Sequence, residues 1–279
     1  MTPHQSPVPK LTDRSALTRN RARANRIGPV DFLHRIVADE IEFRRAEVNR
    51  AFTDIAVVTG HPEFWARAIP GATVVTDAPT LDLRPGAHDL VVHAMSLHWS
   101  EDPVGQIAQA TRALRPDGLF IAAFPAGRTL HELRDALTRA EAQVAGGLSP
   151  RVLPMGEIRD LGALLGRAGL ALPVADQISQ NVSYRNLFHL ARDLRGMGEG
   201  NALAARLRHP TRRDVLMRAA EIYAESHADP DNADRIRATF ELVFLTGWAP
   251  DDSQQKPLRP GSAKMSLADA LASIRKPQA

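Results

Sequence analysis

Phe52-Thr53-Asp54-Ile55-Ala56-Val57-Val58, cut off by Thr59-Gly60-His61-Pro62, is the stretch that decides the fold. It is a short apolar run stopped by turn residues, and two more of the same kind follow. Ala72-Thr73-Val74-Val75-Thr76 ends on Asp77, and Asp89-Leu90-Val91-Val92-His93-Ala94 runs into Met95-Ser96-Leu97-His98-Trp99. Between the first two, residues 63–69 have helical character and stop at Pro70-Gly71. Apolar, β-branched runs separated by Gly/Pro punctuation and helices predict a parallel sheet buried on both faces. Ligands of such sheets sit outside the carboxyl ends of the strands, where the strand order reverses. Gly60, Asp77 and Leu97-His98-Trp99 all fall there, and that is where a site is expected.

On the amino side, residues 1–12 carry three prolines and few apolar groups and read as a disordered tail. Residues 13–26 predict a basic helix anchored by Leu17 and Ile27. Residues 31–49 predict an amphipathic one, with Phe32, Ile36, Ile41 and Phe43 near helical spacing and Asp31 as its cap. On the carboxyl side, Glu101-Asp102-Pro103 starts a helix, since Pro in the first turn loses no bond. That helix stops at Arg115-Pro116-Asp117-Gly118, and residues 119–124 form the next strand. Helices follow at 128–144 and 157–168, then a strand within 170–184. An Arg-rich helical stretch over 186–228, interrupted by Gly196-Met197-Gly198-Glu199-Gly200 and His209-Pro210, reads as a lid or docking surface. The last strand is 237–248, and the tail, 251–279, has a short helix at 267–274. The division is thus one α/β domain over 13–250 with helices at 13–50, a sheet core of 51–184 plus 237–248, and a helical insertion.

Composition narrows the chemistry. The 279 residues include no cysteine, which excludes disulfides, thiolate metal sites and Cys nucleophiles. That agrees with a reducing compartment, and the expected location is the cytoplasm. No apolar run reaches the roughly 20 residues that span a bilayer. Lys and Arg number 35 against 32 acids, mostly interspersed, so nucleic acid is not the expected partner and a protein is. No H-E-x-x-H or H-x-x-E-H spacing occurs, and no zinc is expected. A facial triad for iron stays open, because its ligands need not be near in sequence.

Several stretches go further. They are Ser96-Leu97-His98-Trp99 with Asp102, Leu114-Arg115-Pro116-Asp117-Gly118-Leu119-Phe120, Thr129-Leu130-His131-Glu132-Leu133-Arg134 and Leu161-Gly162-Ala163-Leu164-Leu165-Gly166-Arg167-Ala168-Gly169. Asp193-Leu194-Arg195-Gly196-Met197-Gly198-Glu199 and Thr246-Gly247-Trp248-Ala249-Pro250 through Ser253-Gln254-Gln255-Lys256-Pro257 complete the set. Together they resemble the class I S-adenosylmethionine (SAM) methyltransferase family. Within it they resemble the bacterial relatives of the methyltransferase-like mitochondrial complex I assembly factors, and more distantly the malonyl-carrier-protein methyltransferase of biotin synthesis. The resemblance implies a Rossmann-like sheet ordered 3-2-1-4-5-7-6 and the cofactor SAM. It also implies a respiratory complex I subunit as protein partner, and hydroxylation of an arginine in the mitochondrial relatives.

Set against that family, the cofactor turn is degraded. Its Asp-Leu-Gly-x-x-x-Gly reads Asp54-Ile55-Ala56-Val57-Val58-Thr59-Gly60, with Ala56 for the first glycine and Val58 placed inside the turn. Only one strand fits between Gly60 and Asp89, so one strand–helix unit is missing. Asp77 matches the strand-two acid by order and the strand-three acid by spacing. Gly-Gly-Asp-Thr-Leu has become Ala126-Gly127-Arg128-Thr129-Leu130, a charge reversal at a helix start, and Phe-Asp-Arg has become Thr12-Asp13-Arg14.

The resemblance nominates Asp54, Thr59, Gly60, Asp77 and Leu97 as cofactor contacts and His98, Trp99, Arg128 and Thr129 as the substrate or partner pocket. Packing is the competing role for Trp99, a satisfied core position for His93, and surface or capping roles for His131, Glu132 and Arg134. The function these readings favour is a SAM-dependent methyltransferase-like protein acting on or with a protein in complex I assembly. The alternatives are a catalytically degenerate binding module, a protein arginine hydroxylase on the same fold, and a small-molecule carboxyl O-methyltransferase.

Overall fold

Residues 10–255 are described by a computed structural model. The expected strands form at the three apolar runs. β1 (Ile55–Thr59) and β3 (His88–Ala94) are buried at every position, as central parallel strands must be when helices cover both faces. β2 (Thr73–Thr76) is only partly covered and is the sheet edge. β4 (Leu114–Ala126) continues the parallel set through Leu90↔Leu119 and Val92↔Ile121. β7 (Asn232–Trp248) then enters antiparallel between β4 and β5 (Ala171–Tyr184), and the two-residue β6 (Ala228–Asp229) pairs with its start.

The order β2-β1-β3-β4-β7-β5 is the Rossmann-like methyltransferase order without its outermost strand. The chain from 78 to 87 forms no strand, so the shortening read from the sequence falls at the sheet edge. The ambiguity over Asp77 is resolved with it. β2 pairs in parallel with β1, Val57↔Val74 and Thr59↔Thr76, so Asp77 stands at the end of the strand next to Gly60.

Strand alternation builds one core on each face of the sheet. Ile55, Val57, Leu90, Val92, Ile121 and Phe244 face α2 (Phe32–Glu47), α5 (His131–Ala145), α7 (Leu187–Gly196) and α8 (Arg213–Ser226). Ala56, Val58, Val91, Phe120 and Val243 face α4 (Pro103–Ala113) and α6 (Ile158–Arg167). A third cluster, Ala16, Leu17, Trp99, Leu153, Ala202 and Leu203, holds α1 (Arg14–Ile27) across the carboxyl ends of the strands.

Several local expectations are corrected. Val58 is in β1, not in the turn, because its neighbours on both sides keep it in register with Val75 and His93. Ile27 and Phe43 are each 61% exposed; the buried faces of their helices are Leu17 with Ala24, and Leu33 with Val37 and Ile41. Asp31 makes no capping bond and pairs with Arg35 instead. The 186–228 stretch agrees with its reading: two helices, α7 and α8, are joined by an irregular segment that holds both expected interruptions. Expectations for residues 1–9 and 256–279, including the helix at 267–274 and the Lys256-Pro257 motif, lie outside the described residues.

Candidate functional site

The chain leaves β1 at Thr59, whose hydroxyl accepts the His61 N–H at 3.1 Å, and enters α3 (Pro62–Ala68) at once. Gly60 is the one bare backbone position in this turn. Arg21 of α1 lies against it. A Cβ built at Gly60 would fall 2.0 Å from the guanidinium carbon of Arg21, so no other residue fits while that arginine is in place. Gly198 (φ +79°) serves the same arginine from the other side, its Cα facing the Arg21 stem at a built-Cβ distance of 3.0 Å.

The guanidinium runs on to Asp77, with Arg21 Nη1 donating to both carboxylate oxygens at 2.9 and 3.0 Å. Arg14, about two turns earlier on the same helix face, donates to the Asp77 carbonyl at 2.6 Å and reaches its carboxylate at 3.3 Å. Arg21 is 8% exposed and Asp77 7%. Burial pushes the Asp77 carboxyl up, but the two guanidinium charges outweigh it and hold the group below the usual carboxylate range.

Helix α1 is tied down all along its length. Asp13 caps it through the Ala16 N–H and takes Arg206 and Arg208, and Thr12 donates to the Trp99 carbonyl at 3.0 Å. Glu101 accepts the Leu11 and Thr12 N–H groups, and Asn20 donates to the Gly200 carbonyl at 2.9 Å.

These contacts decide whether the sulfonium nucleoside of the family fits. It requires a bare backbone at the turn and a free carboxylate at the end of the second strand. Arg21 covers the first and holds the second. The residues present do not fit that cofactor, and no step is routed through it below.

The other half of the strand-end crevice is open. A cavity of about 280 Å³ lies between α2, the β3–α4 turn, α5, α7 and the 150–155 segment. Its walls are mainly apolar, with Leu33, Met95, Leu133, Leu153, Leu194, Met197 and Phe240 among them. His34, His98, Trp99, Thr129, Arg151 and Glu199 supply polar atoms. Glu199 is held through one oxygen, which accepts the Trp99 Nε1–H at 2.7 Å and lies 3.2 Å from His98 Nε2. Burial pushes this carboxyl up, yet interaction with His98, including its hydrogen bond, and with Arg21 and His61 brings it to about 2, and Glu199 is an anion at neutral pH. Burial holds His34 down at about 3, with repulsion from His61 adding to it, so its neutral Nδ1 accepts from Trp65 Nε1 at 3.1 Å. Arg21 Nε and Nη2, His61 Nε2 and His98 Nδ1 are buried without a partner, all of them beside Glu199 or Gly198.

The expected residues divide accordingly. Gly60, Thr59 and Asp77 come together, but around Arg21. His98, Trp99 and Thr129 come together on the cavity wall; Trp99 also fills the packing role weighed for it. The Thr129 hydroxyl accepts the Glu241 N–H at 2.9 Å and reaches the Ala126 carbonyl at 2.8 Å, fixing the β4–α5 turn. Leu97 is packed in the α4-side core. Asp54 stands at the amino end of β1, opposite to Gly60, and pairs with Arg115 at 2.8 Å. Arg128 is exposed, and its guanidinium lies 3.1 Å from Nε2 of His131, the first residue of α5, so a cation stands at that helix start. His93 is a core histidine, bonded to Gln106 at 3.1 Å and held down at about 4 by burial.

Glu132 corrects the surface reading given to it. It is 1% exposed and accepts the Thr239 N–H. Arg21 and Glu199 were not nominated by the sequence, although Glu199 closes one of the runs that carry the family resemblance. Among the described residues no three His, Asp or Glu side chains are grouped to hold a metal ion, and no helix is long and apolar enough to cross a membrane.

Comparison with known proteins agrees with the sheet order. Residues 46–122 match the family model described as a methyltransferase domain. Arginine-hydroxylase NDUFAF5, mitochondrial, of Danio rerio is 39% identical over 201 residues, 72% of this chain and 62% of that protein. The human protein of the same name is 38% identical over 203 residues, 72% of this chain and 57% of its own length. The malonyl-(acyl-carrier protein) O-methyltransferase of Laribacter hongkongensis is 31% identical over 190 residues, 68% of this chain and 61% of that one. In each, the match spans less than two thirds of the relative. The chain belongs to the class I methyltransferase-like family, as a homologue of the NDUFAF5 arginine-hydroxylases and, at greater distance, of the malonyl-carrier-protein O-methyltransferases.

Proposed function

We propose that this protein acts on an arginine side chain of a protein partner during assembly of respiratory complex I, as a hydroxylase on a methyltransferase fold. The observation that carries this reading is Arg21 lying on Gly60 and binding Asp77, which takes up the two features a methyl donor would use. The cavity beside it stays open. A chain 39% identical to proteins named arginine-hydroxylases, with its donor site filled and its acceptor site kept, is better suited to oxidation than to methyl transfer. The complex I partner comes from the family resemblance, and the cytoplasm is the compartment that goes with a cysteine-free chain.

Hydroxylation replaces a C–H bond of the arginine side chain by C–OH. With dioxygen as oxidant, the second oxygen atom leaves as water at the expense of a two-electron reductant. The residues described here would bind and orient the side chain for that step. The test is co-expression with complex I subunits of the same cell, followed by peptide mass spectrometry. An arginine heavier by one oxygen atom, and only when this protein is present, supports the reading. An added methyl group, or unmodified arginine throughout, removes it.

The binding-module reading has an observation of its own. The same filled notch is what a retired methyltransferase kept for docking would show, and unmodified arginine with retained partner binding would favour it.

A further inference from the structure

Glu199 is a carboxylate placed on the wall of an apolar cavity, and only half of it is used. Oε2 takes both Trp99 and His98, while Oε1 has no hydrogen-bond partner among the described residues. The remaining charges around the cavity are accounted for. Arg151 is spent on Glu141 and Thr211, and Arg195 is an exposed side chain at the rim. His34 is neutral. Arg21 pairs with Asp77 through Nη1, its Nε and Nη2 having no partner among the described residues. An anion with a free oxygen beside Leu133, Leu153 and Leu194 calls for a ligand with an apolar stem and a cationic, hydrogen-bonding head.

We propose that Glu199 reads the guanidinium of the incoming arginine side chain, and that Trp99 and His98 are positioning residues that aim its free oxygen into the cavity. This rests on the arginine-directed function given above and adds the recognition residue to it. A bound guanidinium donates N–H groups to Oε1, while its methylene stem replaces water along the leucine wall. Less ordering is needed when the ligand arrives, because Trp99 and His98 already orient the carboxylate. A neutral isostere with the same stem keeps the apolar contacts and loses the charge-assisted bonds.

The probes are hexylguanidinium and hexylurea, titrated by calorimetry into the full chain and into Glu199→Gln. In the unaltered protein, binding should favour hexylguanidinium by about tenfold or more, as one charge-assisted bond predicts. Glu199→Gln should bring the two within about twofold. Methyl resonances of Met95, Met155 and Met197, which line the cavity, should move on adding hexylguanidinium, and this readout needs no variant. Equal binding of the two probes, a preference that survives Glu199→Gln, or unmoved methionine methyls would overturn the assignment. Oxidised arginine in the partner assay with no guanidinium preference would sink the role of Glu199 alone. The reverse pair of results would sink the oxidation and leave Glu199 as the reader.

Discussion

Two halves of one crevice have been treated oppositely. On the β1–β2 side, Gly60 and Asp77 survive, but a basic helix has been laid over them and its arginine serves as the ligand. On the α5–α7 side, Leu133, Met197 and Phe240 leave a cavity, and a charged carboxylate is kept on its wall without a full set of partners. The same motif residues, Gly60 and Asp77, are here engaged by a side chain of the protein itself. Gly60 lies against Arg21, and Asp77 binds a cationic neighbour in a buried place. What separates the halves is that Arg21 Nη1 pairs with Asp77 in one, its Nε and Nη2 having no partner among the described residues, while the other keeps an open cavity.

Acid should test both halves at once and have the largest effect. His34 borders the cavity and His93 lies beneath the filled notch, and burial holds them at about 3 and about 4. Both lie below the ordinary histidine value, so the folded protein keeps them neutral while the unfolded chain takes up protons below about pH 6.5. Their contribution is fully present above that pH and is lost as pH falls toward the folded values. Stability should drop by about 1.4 kcal/mol per pH unit for each histidine over that window. Urea titrations between neutral pH and pH 4 measure it, and His93→Gln should flatten the profile by its own share. Two separated transitions would show that the halves melt independently.

Asp77→Ala should come next. It strands two guanidinium groups, one of them almost fully buried, and a loss of about 3 kcal/mol is expected in denaturant melts. In a protein whose Asp77 waits for a nucleoside, the same change would leave the empty form as stable as before. Thr129→Val removes the hydroxyl that accepts the Glu241 N–H and should cost about 1–2 kcal/mol. Glu199→Gln should be the mildest, at about 1 kcal/mol or less, because the amide oxygen can still accept from Trp99. If Glu199→Gln proved costlier than Asp77→Ala, the open and closed labels would have to be exchanged.

The sheet could be read from the sequence because its strands are short, uninterrupted apolar runs, and burial on both faces leaves no polar residue to blur them. The missing unit was readable too, since 28 residues between Gly60 and Asp89 hold a single β-branched run. What could not be read was which strand remained. That is settled by the pairing of Val57 with Val74, a property of the assembled sheet. Arg21 was hidden for a related reason. On a helix crowded with arginines nothing distinguishes the one that turns inward, and its partner is 56 residues away. Glu132 misled in the same manner, as its charge suggested solvent while Thr239 on β7 supplied the bonds that allow burial. Trp99 was readable only in part, because a buried tryptophan must both pack and place its N–H, and here it does each.

The central claim is that Arg21 has taken the place of the nucleoside, and calorimetric titration of the purified full chain with SAM tests it most directly. The expected result is no heat of binding up to millimolar ligand and an unchanged melting temperature. Saturable one-to-one binding in the micromolar range, abolished by Asp77→Asn, would contradict it.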